Sequence, residues 1–148
     1  MKIKVEIDEN LPEDEILIRC RNMDEEVIAI QKQVAEAVKS RLQLNVFKGE
    51  TEYYLTLDDI LFFETNGSVV AVHTGSDIFE TKLRLYELEE ILSDRDFIRI
   101  SKSQIVNINC IKSLMPELNR SLSATLSNGE ILTVSRRYVK SLRNLLGI

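Results

Sequence analysis

The chain has 148 residues, 44% of them hydrophobic and 29% charged, with 19 basic against 24 acidic side chains and a formal net charge of -5. Length and composition fit one compact domain, or a small domain with an attachment, and exclude a chain too polar to bury a core. No run of about 18 apolar residues occurs, and Met1-Lys2-Ile3-Lys4-Val5 lacks the apolar stretch of a signal peptide, so a soluble, cytoplasmic protein without membrane insertion is expected.

Ile3, Val5 and Ile7 alternate with Lys4, Glu6 and Asp8, the period of a half-buried strand, and Ile16, Leu17 and Ile18 suggest a second one after the break at Pro12. Asn22 to Asp24 can cap a helix with Glu25 and Glu26 in its first turn, where acids suit the helix dipole. Val27, Ile30, Val34, Ala37 and Val38 give that helix one apolar face. It either covers the domain's own sheet or forms a dimer interface.

Short strands with turn residues between them follow from Leu44, at spacings typical of antiparallel structure. Leu44, Val46 and Phe47 pair across Lys48-Gly49 with Tyr53, Leu55 and Leu57. Ile60 to Thr65 and Val69 to Thr74 flank Asn66-Gly67, a dipeptide suited to a type I′ turn. A strand is expected at Ile78 to Thr81, then a helix from Leu83 to Leu92 with Leu85, Leu88, Ile91 and Leu92 on one side. Ile98 to Cys110 mixes alternating aliphatics with polar residues. Further strands are predicted at Ile111 to Met115, Leu122 to Ser127 and Ile131 to Val134, the last two joined at Asn128-Gly129. A final helix capped by Ser135 packs Val139, Leu142, Leu145 and Leu146 inward and stops at Gly147. The body is thus mostly β with two short helices.

Enzymatic signatures are nearly absent, and neither a catalytic set nor a cofactor is expected. The single histidine, His73, falls in a strand, and no metal, nucleophile or phosphate-loop motif occurs. Cys20 and Cys110 match no CxxC pattern and read as buried free thiols. Asp58-Asp59 and Glu89-Glu90 read as solvated acids, with Asp58 and Asp59 also able to cap the turn before Ile60.

Charge distribution is more informative than its total. Residues 1–93 carry 10 basic and 20 acidic side chains, whereas residues 94–148 carry nine and four. A net of +5 at one end hints at an anionic partner there. Within it, Arg136 and Arg137 follow Ser135 directly and occupy a helix first turn, where cations are unfavourable by ~0.3 to 1 kcal/mol each. Two guanidinium forks beside exposed backbone N–H groups suit a phosphate or a guanine edge, unless the arginines pair with neighbouring acids. Arg99-Ile100-Ser101-Lys102-Ser103-Gln104 is a second polar cluster, of residue types that contact phosphates and base edges.

Phe97-Ile98-Arg99-Ile100-Ser101-Lys102-Ser103-Gln104-Ile105-Val106-Asn107, followed by Asn128-Gly129 and Val134-Ser135-Arg136-Arg137, resembles the LytTR DNA-binding family of bacterial transcription regulators, as does Asp59-Ile60-Leu61-Phe62-Phe63-Glu64. The resemblance covers residues 44–148. It implies a mainly β fold, a stack of small antiparallel sheets with short helices whose loops enter major grooves, here preceded by a small N-terminal α/β extension over residues 1–43 (α+β overall). It also implies that the loop holding Asn66 and Ser68, with Lys102 and Arg137, faces bases or phosphates, and that Arg99, Ser101, Ser103 and Arg136 lie beside them. Where the family commonly has His-Arg, this chain has Ser101-Lys102, a point charge in place of a planar fork.

Most relatives of this type carry a receiver domain ahead of the DNA-binding module, and about 43 residues are too few for one. The extension is expected to serve as a scaffold or as a homodimerisation element. Double-stranded DNA bearing promoter repeats is the expected partner. The alternative is a protein-interaction module that sequesters a regulator or couples to a membrane sensor.

Overall fold

The computed structural model describes residues 1–39 and 42–148, which fall into two compact units, residues 1–37 and 38–148. In the first unit residues 1–24 form neither helix nor strand. The strands expected around Ile3 to Ile7 and Ile16 to Ile18 are absent, and Ile3, Val5 and Ile7 are 96%, 83% and 91% exposed. Alternation describes the side chains a strand would need, but a strand also needs hydrogen-bonding neighbours, and one short hairpin is marginal in water. Cys20 is exposed, not buried as expected. Helix α1 (Glu25–Lys39) begins where the sequence places it, with Asp24 Oδ1 accepting from Val27 N at 2.9 Å. Along its apolar stripe Val27 is buried and Ile30 and Val34 half-buried, while Ala37 and Val38 are exposed.

The second unit is built from two antiparallel sheets. Strands β1 (Gln43–Lys48), β2 (Thr51–Thr56), β3 (Ile60–Thr65), β4 (Val70–Thr74), β5 (Ile78–Thr81), β6 (Phe97–Arg99) and β7 (Gln104–Asn107) form a seven-stranded sheet in the order β2-β1-β5-β4-β3-β7-β6. Strands β8 (Ile111–Pro116), β9 (Leu122–Leu126) and β10 (Ile131–Val134) form a meander in the order β10-β9-β8. Helix α2 (Leu85–Ile91) follows β5 and helix α3 (Arg136–Leu146) ends the fold.

Strand β3 explains the layering. Its run Ile60-Leu61-Phe62-Phe63 is buried throughout because both of its faces are covered. Ile60 and Phe63 join Val46, Val72, Leu85 and Leu88 in one core, whereas Leu61 and Phe62 join Ile100, Leu126, Val134 and Leu142 in the other. The neighbouring β7 divides by simple alternation, Ile105 to the first core and Val106 to the second. His73 stacks on Phe62 with centroids 4.1 Å apart, a packing role.

Several local expectations are corrected. Leu57 lies in a 3₁₀ turn (Leu57–Asp59), and Ile91 and Leu145 face solvent at the ends of helical turns. The β3–β4 turn is not type I′: Asn66 N donates to Val69 O at 3.4 Å, so Gly67 and Ser68 are central, and of these turn residues only Gly67 has positive φ, +102°. Asn66 instead accepts through Oδ1 from the Ser68 and Val69 amides, both at 3.2 Å. Glu89 is exposed, as read from the sequence, and also pairs with Arg99 at 3.0 Å.

Candidate nucleic-acid interface

Strand register brings distant loops to one end of the large sheet. Thr65, the last residue of β3, pairs with Val70, the first of β4, while Glu64 pairs with Gln104, the first of β7. The turn 66–69 and the loop 100–103 between β6 and β7 therefore emerge side by side. Two backbone hydrogen bonds lock the arrangement. Thr65 N donates to Ser103 O at 2.9 Å, tying the first loop to the second. Ser135 N donates to Ile100 O at 2.9 Å, tying the start of α3 to the same loop. Segments 35 residues apart in sequence are thus adjacent in space, with Ile100 and Leu142 fully buried beneath them.

The side chains at this end have distinct circumstances. Asn66 is exposed, and its amide Nδ2 makes no hydrogen bond among the described residues, while its Oδ1 also accepts from Ser68 Oγ at 3.1 Å. Ser101 Oγ accepts from Ser103 N at 3.2 Å and lies 3.4 Å from Ser103 Oγ, so the two serines shape the loop. Lys102 is exposed at its tip and has no ion pair among the described residues. Arg99 differs. Its Nε donates to Ser101 O at 2.8 Å, one terminal nitrogen to Lys102 O at 2.5 Å and the other to Glu89 Oε2 at 3.0 Å. The guanidinium clasps the loop from behind, and its charge is already answered.

Arg136 and Arg137 are exposed, with no acidic residue in the first turn of α3 and no ion pair to either among the described residues. Pairing with neighbouring acids, the other possibility open in the sequence, does not occur there. Arg137 lies with its guanidinium carbon 5.8 Å from the Tyr138 ring centroid. Ser135 occupies the N-cap position, but its hydroxyl makes no capping bond, contrary to expectation; its carbonyl accepts from Tyr138 N at 2.8 Å. The helix start thus combines uncapped amides with two unpaired cations, an arrangement that favours an anion.

Three groups expected together are therefore together: Asn66 and Ser68, Ser101 to Ser103, and Arg136 with Arg137. Sequence reasoning passed over Lys82 and Arg84, which leave the same sheet end between β5 and α2. Their signal, two of the only three cations in residues 44–93, was masked by that stretch's net charge of -7. No group of three or more His, Cys, Asp or Glu side chains suited to a metal occurs among the described residues, and no helix among them is long and apolar enough to cross a membrane.

Comparison with known proteins gives consistent matches. The LytTr DNA-binding domain family matches residues 50–147. An uncharacterized HTH-type transcriptional regulator of Staphylococcus aureus (strain bovine RF122 / ET3-1) is 35% identical over 148 residues, covering 100% of this chain and 99% of the relative. One from Staphylococcus aureus (strain NCTC 8325 / PS 47) is 34% identical with the same coverage. Among solved structures, the LytTr DNA-binding domain of a Bacillus cereus protein described as a methyl-accepting/DNA response regulator superposes with a TM-score of 0.67 at 26% identity, covering 72% of this chain and 97% of that one. The helix-turn-helix label of the relatives has no counterpart among the described residues, because strands separate α1 from α2 and α2 from α3.

Proposed function

The chain belongs to the LytTr DNA-binding domain family, and from that premise we propose that it is a transcription regulator which binds specific double-stranded DNA sequences in the cytoplasm, reading the major groove through loops. The observation that carries this reading is the convergence, through the Thr65–Ser103 and Ser135–Ile100 hydrogen bonds, of three segments ending in exposed donors without acidic partners. Lys102, Arg136 and Arg137 supply salt-dependent attraction to phosphates, and Arg137 and the Asn66 amide are suited to base edges. Arg99 acts as a positioning residue that holds the Lys102 backbone. Lys102 gives its loop a mobile point charge without the fork that discriminates guanine, so that contact contributes affinity more than sequence preference.

Selection of bound duplexes from a random pool tests this reading; enrichment of a defined sequence supports it, and a paired, spaced repeat would also indicate two copies per site. Arg137→Ala should weaken binding to the selected duplex by ~1 to 3 kcal/mol while shifting the enriched sequence at one position. Unchanged affinity at fixed salt would remove Arg137 from the interface.

Residues 1–43 carry a second reading. Ile3, Val5 and Ile7 expose apolar side chains at strand spacing with no partner strand in the described chain. We infer that this extension pairs with a second copy to form a homodimer, which would place two readers on repeated half-sites. The competing occupant is another regulator or a membrane sensor, in a chain that keeps the fold as an interaction module. Light scattering at micromolar concentration separates the first case, and failure to shift DNA at low salt would favour the second.

A further inference from the structure

Beside the turn 66–69 and the loop 100–103 lies a groove of about 840 Å³ bordered by Ser68, Lys82, Arg84 and Lys102. Register explains its place: Val70 pairs with Thr81 as well as with Thr65, so the chain leaving β5 stands in line with the turn 66–69 and the loop 100–103. Lys82 Nζ sits 4.5 Å from the centroid of the Phe47 ring, which steadies the ammonium without neutralising it. Neither Lys82 nor Arg84 has an ion pair among the described residues. Glu50 and Glu80 also border the groove, but Lys82, Arg84 and Lys102 outnumber them, and Arg99, on the same wall, is already held by Glu89.

We propose that Lys82 and Arg84 are DNA-backbone contacts, holding a phosphate strand in this groove opposite the loops that read bases. The inference rests on the DNA-binding reading above and extends the interface by a separate segment. Spacing supports it. In the order β5-β4-β3-β7, three strand spacings separate β5 from β7. At ~4.8 Å per spacing this is about 14 Å, close to the ~12 Å width of the major groove. With Lys102 at the phosphates of one lip, as proposed above, Lys82 and Arg84 fall at the other. Both are exposed cations at the edge of the reading surface, the position in which phosphate-binding side chains set affinity and register without selecting a base.

The test measures affinity of the wild type, Lys82→Ala, Arg84→Ala and the double variant for a selected duplex and for a scrambled duplex of equal length, between 50 and 200 mM salt. Each alanine, by removing one cation from the DNA backbone, should lower affinity for both duplexes alike. The wild-type to variant affinity ratio should then shrink about 3.5-fold across that salt range for a single variant and about 12-fold for the double one, as one or two released counterions require. Lys82→Arg should retain the wild-type salt slope. An unchanged slope in the double variant, or a weakening confined to the selected duplex, overturns the inference while leaving the DNA-binding reading intact. If the wild type shifts neither duplex at 50 mM salt, both fall together.

Discussion

Asn107 shows how a residue inside a binding motif can serve the fold alone. It is 3% exposed, its Nδ2 donates to Ile60 O at 2.9 Å, and its Oδ1 accepts from Asn109 N at 3.0 Å. The register of β3 against β4 shifts between Ile60 and Phe62, and Asn107 meets the carbonyl at that irregularity. Asn107→Leu should therefore cost about 1 to 3 kcal/mol in urea unfolding, because the Asn109 amide loses its partner and the Ile60 carbonyl keeps only the weak Cys110 thiol donor at 3.9 Å. Arg99 illustrates the same division at the site itself. In the sequence it looks like one more cation of the interface, yet its fork is spent on Ser101 and Lys102 carbonyls and Glu89. Arg99→Lys keeps the charge but not the fork, so it should weaken DNA binding nearly as much as Arg99→Ala; full rescue by lysine would make Arg99 a direct phosphate contact instead. At the opposite sheet end Lys48 donates to Asp77 and, with the Ile78 amide, holds its carboxyl below the ordinary aspartate range. This depressed pKa means that the pair stabilises the fold above the unfolded-state pKa and ceases to as pH falls through the folded one. Lys48→Ala should raise the Asp77 midpoint in an NMR titration.

Among the elements, α3 is the one whose local chemistry opposes its own stability. Arg136 and Arg137 sit at the positive end of the helix dipole and Ser135 makes no capping bond. Replacing both arginines with glutamate should raise the melting temperature, by relief of ~0.3 to 1 kcal/mol per residue plus the gain from acids in that turn, while abolishing DNA binding. Ser135→Ala should cost well below the ~1 kcal/mol typical of removing an N-cap, because there is no side-chain bond to break. A full capping penalty in thermal unfolding would contradict the geometry. The turn 66–69 carries a similar constraint: an added Cβ at Gly67 would meet nothing within 4 Å, so the strain of Gly67→Ala comes from its φ of +102° alone. These elements were legible in the sequence as elements. Gly129, at φ +90°, turns β9 into β10 where Asn128-Gly129 indicated, and Gly147, at φ +73°, ends α3. The period of β3 was not legible as a face, since a strand covered on both sides shows no alternation.

At the scale of the whole molecule, the net charge of -5 is an average over a chain whose first 93 residues sum to -10 and whose last 55 sum to +5. Affinity for DNA should accordingly fall steeply with salt, by about 0.9 in log-log slope for each phosphate neutralised, although the protein as a whole is acidic. What the sequence by itself determined is local: most of the strands and both helices of residues 44–148, the three motifs, and the cations at the start of α3. These follow from side-chain periodicity and turn chemistry over a few neighbouring residues. Only the tertiary structure decided which loops share an end of the sheet, because Glu64 with Gln104, Val70 with Thr81 and Ser135 with Ile100 are pairings between segments far apart in the chain. It also decided that Arg99 is held by Glu89 and its own loop and that Lys82 and Arg84 leave the same sheet end as the turn 66–69. The strands expected before residue 19 failed for the same reason in reverse. Alternation is a property of the segment, whereas a strand is a property of its neighbours, and the described chain provides none there.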